Sequence, residues 1–403
     1  MTPDGNVGTL AEVLARYRAG QISRRTVARM LGTMGLAGAA ALHTGRFSQA
    51  ASLQDGTPAA GDEPPPPATP NLGERADGTL AWKVQVGAMD EAELVEAMGF
   101  FPQEITVNVG DSIFFDNRGF HTITFLSGQE RPLLFVSEES LGTPAAEPRF
   151  VINPMAGFPV GGDTYDGSGY VNSGTPDPSA PPFTLTFTAP GSFDYLCLVH
   201  PQMQAKVIVQ EAGAELPMDQ AGYDQLGTEQ AEALLDEGRA LVSEHASATP
   251  TPGEDAGVHD VLVGVGGEYV EVLQYFPREL TVQAGDTVRW TNPSKNEPHT
   301  VTFLGDAEPP ELILVEPAEG GPPTLVLNPL FAREVEGADA FDGEGFASSS
   351  TLGDEMPEFS EDIPRSATYE LTFDEPGEYR YYCVYHSGGP DDEHGMVGKV
   401  IVT

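Results

Sequence analysis

Two short segments near the ends of two related stretches carry the residues with chemical potential. Cys197, His200 and Met203 stand in "CLVHPQM"; Cys383 and His386 stand in "CVYH", and Met396 follows after nine further residues. Upstream, His121 opens "HTITF" and His299 opens "HTVTF". The recurring set is two His, one Cys and one Met. Two cysteines in an exported chain would ordinarily suggest one bridge. Here they occupy the same position in two copies of one pattern, so a bridge would have to join equivalent points of separate units, and the spacing argues against it. Two imidazoles and a thiolate in a trigonal plane, with a weak thioether on the axis, suit an ion that cycles between Cu(I) and Cu(II). The set therefore predicts one copper ion per copy, two per chain. His394, two residues before Met396, is the alternative fourth ligand of the second set.

The elements that must position these groups are repeated as well. "FFPQEITVNVGDSIFFDN" (100–117) returns as "YFPRELTVQAGDTVRWTN" (275–292), and "FTLTFTAPGSFDYLCLVH" (183–200) returns as "YELTFDEPGEYRYYCVYH" (369–386). About three residues are added between Asn292 and His299, in "PSKNEP". Apolar residues alternate at period two, as in Ile105, Val107, Val109 or Leu371, Phe373, and Gly-Asp, Pro-Gly and Asn pairs punctuate them. Short half-buried strands with turns between them read as an antiparallel β-sandwich. The fold expectation is all-β: two Greek-key antiparallel β-sandwich domains, residues 80–211 and 258–403. A helical linker, 212–257, joins them. Its "TEQAEALLDEGRALVSEH" has Ala and Leu at helical spacing, with Thr228 as N-cap and a spacer's role expected. In each copy roughly 55 to 65 residues separate the strand begun by the first His from the next clear strand. Asn-Pro and Asp-Gly-x-Gly pieces recur there. This insertion reads either as a cover over the metal or as a surface brace. Met155 within it is answered by Leu330, so it is no ligand common to both copies.

With these motifs in place, the chain resembles the cupredoxin (blue copper) family of plastocyanin, amicyanin and halocyanin, over roughly residues 80 to 211 and 258 to 403. The Cys-x2-His-x2-Met loop of the first copy has amicyanin-like spacing. "QAKVIV" and "GMVGKVIV" look like the family's last strand, and the loop from His386 to Met396 is longer than the family's usual one. The resemblance implies that the backbone N–H of Thr122 or Thr300 faces each thiolate and that Asn117 and Asn292 order the neighbouring loops. Tyr195, Tyr381 and Tyr382 stand beside the cysteines as core aromatics, and the resemblance allows an electron route past Tyr382. A solvent-facing ligand, His200 or His386, would be the electron's port.

Composition narrows the partners. With 61 acidic and 20 basic side chains the net charge is -41, which offers no grip on nucleic acid. The first fifty residues hold six arginines against Asp4 and Glu12, about +4, leaving about -45 on the rest. Arg24 and Arg25 precede an uncharged run, Met30 to Leu42, too short to span a bilayer. The layout resembles a twin-arginine export signal over residues 1–50, followed by a Pro/Ala-rich linker, 51–79. Export to the periplasm, the cell surface or the medium is thus expected, with no stable membrane span in the mature chain. The acidic surface reads either as solubility in a salty or acidic habitat or as steering toward a basic redox donor and acceptor. Two cupredoxin units also resemble nitrite reductases and two-domain laccases, which need further copper-binding histidines. Of the eight histidines, four belong to the two sets and His43 to the signal, leaving His245, His259 and His394 with no His-x-His pair. An electron carrier is the leading expectation, not an enzyme. A copper-buffering protein without a redox partner is the alternative, and a nitrite-reductase-type oxidoreductase a more distant one.

Overall fold

The structure is a computed structural model that describes residues 72–403, apart from 142–148, 178–179, 201, 247–256, 319–320, 334–339, 342, 344, 354–359 and 361–362. The expected export signal and most of the Pro-rich linker lie outside the described residues.

The first unit is built from β1 (Gly73–Glu74), β2 (Leu80–Asp90), β3 (Val95–Phe101), β4 (Glu104–Asn108), β5 (Ser112–Asn117), β6 (Thr124–Phe125), β7 (Phe135–Ser137), β8 (Phe150–Ile152), β9 (Thr164–Tyr165), β10 (Val171–Asn172), β11 (Thr184–Phe187), β12 (Gly191–Leu196) and β13 (Gln204–Gln210). The second repeats it as β14 (Val258–Gly266), β15 (Val270–Phe276), β16 (Glu279–Val282), β17 (Asp286–Thr291), β18 (Thr302–Phe303), β19 (Ile313–Glu316), β20 (Thr324–Leu327), β21 (Ala340–Phe341), β22 (Ala347–Ser348), β23 (Thr368–Phe373), β24 (Gly377–Tyr382) and β25 (Val397–Val402). Period-two alternation explains the layering: in β13 Ala205, Val207 and Val209 turn inward while Gln204, Lys206 and Ile208 lie further out. Each unit is a β-sandwich. One face is formed by β10-β6-β12-β13-β4 in the first unit and by β16-β25-β24-β18-β22 in the second. Parallel pairs occur where β2 meets β5 and β13 meets β4, with counterparts in the second copy.

The remaining faces do not stay separate. They merge into one eleven-stranded sheet ordered β21-β23-β17-β14-β15-β3-β2-β5-β11-β9, with β1 on β2. The seam is the antiparallel pair β15 and β3, in which Glu271 stands opposite Glu96. These two residues are equivalent in the repeat, "VEVLQYF" and "VEAMGFF". A second seam joins the insertions of the two copies. In the four-stranded sheet β19-β20-β8-β7, Val326 stands opposite Val151, again its repeat equivalent. Equivalent residues meeting antiparallel is what a two-fold axis produces, so the copies associate like an isologous dimer within one chain. The insertions brace one unit against the other, so the bracing reading holds but across the two copies and not on one sandwich's surface. Met155 in this region is exposed.

The connecting helix, Gln220–Ala246 (α1), departs from expectation in start and role. Asp219 caps it, accepting from the Gly222 N–H at 2.9 Å. Thr228 lies inside the helix, its hydroxyl donating to the Asp224 carbonyl at 2.8 Å. Nor is α1 a spacer. Its Ala231 and Leu235 are buried with Val95, Ala97 and Phe101 of one unit and Val270, Val272 and Phe276 of the other. Gly238 allows the close approach, since a Cβ there would fall 2.1 Å from Val95 Cγ1 and 2.9 Å from Val270 Cγ2. The helix covers the β3/β15 seam, whose apolar side would otherwise face water. Tyr223 accepts from the Thr106 N–H at 2.9 Å, and Arg239 pairs with Asp90 at 2.7 Å. No described helix is long and apolar enough to cross a membrane.

Candidate metal centres

Each sandwich carries its histidine and cysteine residues at one end, where the loop after β12 or β24 meets the start of β6 or β18. His121, Cys197 and His200 converge at the first, and His299, Cys383 and His386 at the second. Both cysteines are free and buried. In the first group the Nδ1 atoms of His121 and His200 are 2.9 Å apart, and Cys197 Sγ is 3.8 Å from His200 Nδ1. In the second, the Nδ1 atoms of His299 and His386 are 3.2 Å apart, and Cys383 Sγ lies 3.8 and 3.4 Å from them. A first-row ion at the centre of a trigonal plane of two nitrogens and one sulfur, with bonds of about 2.1 and 2.3 Å, would separate nitrogens by about 3.6 Å and nitrogen from sulfur by about 3.8 Å. Two of the three sulfur–nitrogen spacings match and the third, 3.4 Å, is shorter, while the nitrogens would have to open by about 0.7 Å at the first site and about 0.4 Å at the second. The donors fit copper by geometry and by chemistry.

The thiols are prepared as thiolates. Burial opposes ionisation of Cys383, but the His386 and His299 imidazoles outweigh it and bring the thiol down to about 5. Burial likewise opposes ionisation of Cys197, and His121 and His200 hold it well below the usual thiol range. As the resemblance implied, the Thr122 N–H donates to Cys197 Sγ at 3.4 Å and the Thr300 N–H to Cys383 Sγ at 3.3 Å. Asn117 donates to the His121 carbonyl at 2.7 Å, and Asn292 to the Glu297 carbonyl at 3.1 Å.

The two methionine loops differ in length yet close alike. In the first, the Cys197 N–H donates to the Met203 carbonyl (2.9 Å) and the Met203 N–H to the His200 carbonyl (3.1 Å). In the second, Cys383 donates to Met396 (3.0 Å) and Met396 to His386 (3.1 Å). Met203 and Met396 are both fully buried. The extra residues of the second loop bulge outward, which leaves His394 exposed.

Sequence reasoning missed the residues behind the rings. Gly87 and Gly264 sit at β-bulges in β2 and β14 with φ of +74° and +75°. A Cβ would fall 2.2 Å from His121 Nε2 at Gly87 and 2.3 Å from His299 Nε2 at Gly264. Glu96 lies 3.4 Å from His121 Nε2, and Glu271 lies 3.3 Å from His299 Nε2. The Glu271 carboxylate hydrogen-bonds His299 Nε2 and so fixes that ring and strengthens its opposite nitrogen as a ligand, whereas His121 Nε2 is buried without a hydrogen bond among the described residues, with Glu96 only nearby. Their signal was present, since both glutamates occupy the same place in the repeat. Glu297, in the unrepeated "PSKNEP", meets His200 Nε2 with one carboxylate oxygen and lies 3.5 Å from His386 Nε2 with the other.

That contact corrects the expected port. His200 is 2 % exposed and faces the other unit instead of solvent, and the His386 side chain is 12 % exposed. The pseudo-two-fold turns both histidine-bearing ends toward each other. The three remaining histidines do not converge: His245 packs on Phe276, His259 pairs with Asp286 at 3.0 Å, and His394 is exposed.

Comparison with known proteins adds the family. Residues 261–403 match "Copper binding proteins, plastocyanin/azurin family". Over those residues, the second copy, the chain is similar to the cupredoxin family. It is 28% identical over 130 residues to the chloroplastic plastocyanin of Tetradesmus obliquus, a match covering 32% of this chain and 59% of that protein, so the chain spans less than two thirds of that relative. It is 26% identical over 156 residues to the amicyanin of Paracoccus versutus, covering 39% of this chain and 74% of the other. A solved structure of reduced, Cu(I) amicyanin in mutant form is 23% identical, covers 34% of this chain and 87% of its own, and has a TM-score of 0.19. The two His-Cys-His sites fit two copper ions.

Proposed function

We propose that this chain is a two-domain cupredoxin that serves as an exported electron carrier, with two mononuclear copper sites, one in each of two domains, residues 80–211 and 258–403. His121, Cys197, His200 and Met203 would hold one ion and His299, Cys383, His386 and Met396 the other. The observation that carries this is the duplicated, largely buried set of two imidazole Nδ1 atoms and one cysteine sulfur converging on one point, each sulfur accepting from a backbone N–H. Bound copper supplies the gain and loss of one electron. The chain keeps each thiolate ionised, excludes water from it, and sets carboxylates behind His200, His299 and His386, so the donors need little rearrangement between oxidation states. Met396 is favoured over His394 as fourth ligand because it is buried and anchored like Met203. Export is supported by the arginine-bearing first fifty residues, and a basic redox donor and acceptor by the acidic surface.

The test is spectroelectrochemistry on the copper-loaded chain. A carrier takes up and gives back two electrons per chain with both ions retained. Release of copper on oxidation would instead identify a buffering protein.

A further inference from the structure

Glu297 stands where the repeat breaks. Its segment, Pro293 to Pro298, carries about three residues absent from the first copy, and it is pinned in place. The Asn292 side chain accepts from the Ser294 N–H at 2.8 Å and donates to the Glu297 carbonyl. Ser294 donates to Glu271 at 2.5 Å, and Asn296 donates to the Gly267 carbonyl at 2.9 Å. The Glu297 side chain is 7 % exposed. Its two oxygens face Nε2 of His200 and Nε2 of His386, whose Nδ1 atoms belong to different metal sites. Glu96 also converges with His200 and Glu297, all within 4.8 Å.

We infer that Glu297 joins the two centres into one redox unit, so that the oxidation state of either copper sets the electron affinity of the other. This rests on the copper reading above. A carboxylate offers one acceptor oxygen to each imidazole N–H. Cu(II) polarises its imidazole more than Cu(I) and makes that N–H the stronger donor. When an external one-electron donor reduces one centre, the hydrogen bond there weakens and the carboxylate leans to the other ring. Its negative charge then favours Cu(II) at the unreduced centre, so the second electron enters less readily. An electron crossing within the chain leaves one Cu(I) and reduces one Cu(II), with no net change, along His200, Glu297 and His386. The half-reduced chain is the favoured form.

The test uses Glu297→Gln in the full chain and in two single-site backgrounds, Cys383→Ser and Cys197→Ser. A glutamine has one acceptor oxygen and no charge, so it cannot serve both rings. With site 2 silenced by Cys383→Ser, E297Q is expected to move the Cu(II)/Cu(I) equilibrium at Cys197 about tenfold toward Cu(I), about 59 mV for one electron. It should also change the EPR hyperfine coupling there, although Glu297 belongs to the other unit. In the full chain, E297Q should cut by about tenfold the excess of half-reduced chains over that expected from the single-site potentials. Glu297→Asp keeps the charge but shortens the reach. It should lose the excess while moving the single-site potential less. An E297Q that alters only the Cys383 site would overturn the bridge alone, since the copper bands would remain. A third metal ion held by Glu96, His200 and Glu297 would also overturn it. Absence of any copper–thiolate band in the unsubstituted chain would overturn the copper reading together with the bridge.

Discussion

Replacing Gly264 by alanine tests whether the bulge behind His299 exists to seat the ring. The added methyl would lie 2.3 Å from His299 Nε2, 2.7 Å from the Glu271 carboxylate and 2.9 Å from His299 Cδ2. An ordinary contact is about 3.5 Å, so the ring must retreat by roughly 1.2 Å. It can retreat only toward Cys383 and His386, because Nδ1 already faces them. Metal–ligand bonds tolerate about 0.2 Å, so the displacement is several times what the site can absorb. Alanine at φ +75° adds about 1–2 kcal/mol of backbone strain. Copper affinity at the second site is expected to fall by at least tenfold to a hundredfold. The assay is titration of the visible thiolate band against a competing chelator in a Cys197→Ser background, where only the second site reports. The first site, measured in the complementary Cys383→Ser background, should be unaffected. An unchanged affinity and spectrum at the second site would refute the reasoning.

Leu235→Ala removes a side chain of α1 buried against strands of both units, and should lower unfolding stability in urea by about 2–5 kcal/mol. A helix that only spaced the domains would show almost no change. Met396→Leu should keep copper at the second site while altering its potential and spectrum, and His394→Ala should keep copper and alter neither; the reverse pattern would move the fourth ligand to His394. The Arg239 guanidinium bonded to Asp90 holds that carboxyl below its ordinary value. Since the folded value is depressed, the pair contributes its small share of stability above the unfolded carboxylate range, about 4, and loses it as pH falls through the lower folded value. Asp90→Asn should remove that part of the acid limb in stability measured against pH, and an unaltered limb would show the pair to be inert.

The duplication made the metal donors legible. One His-Cys-His-Met spacing is weak, but two complete sets with matched flanking strands pointed from the sequence alone to the two His-Cys-His groups that the fold brings together. Periodicity placed strands such as β13, β16 and β23, which bury alternate residues, whereas β15 is buried along its whole length. What escaped has a common physical cause. Glu96 and Glu271 recur in the repeat, yet a glutamate in an apolar strand carries no local mark of lying behind a histidine. Gly87 and Gly264 read as strand irregularities until the bulge shows the ring above them. Glu297 lies in an insertion with no repeat partner, and its role exists only once the two units face each other. The helix was misjudged because its small buried residues, Ala231 and Gly238, look like spacer composition in one dimension and close packing in three. How the halves dock is set by pairing β15 to β3 and β20 to β8, edge contacts on which alternation along a single strand is silent.

The central claim is two copper ions per chain, each bound to its own thiolate. Metal analysis with visible and EPR spectra on the copper-loaded protein, alongside Cys197→Ser and Cys383→Ser, tests it most directly. The account predicts two coppers per chain, both contributing to the intense thiolate band, with each single substitution removing about one site's share. Single variants that each keep the full band, or a chain that loads without that band, would contradict it.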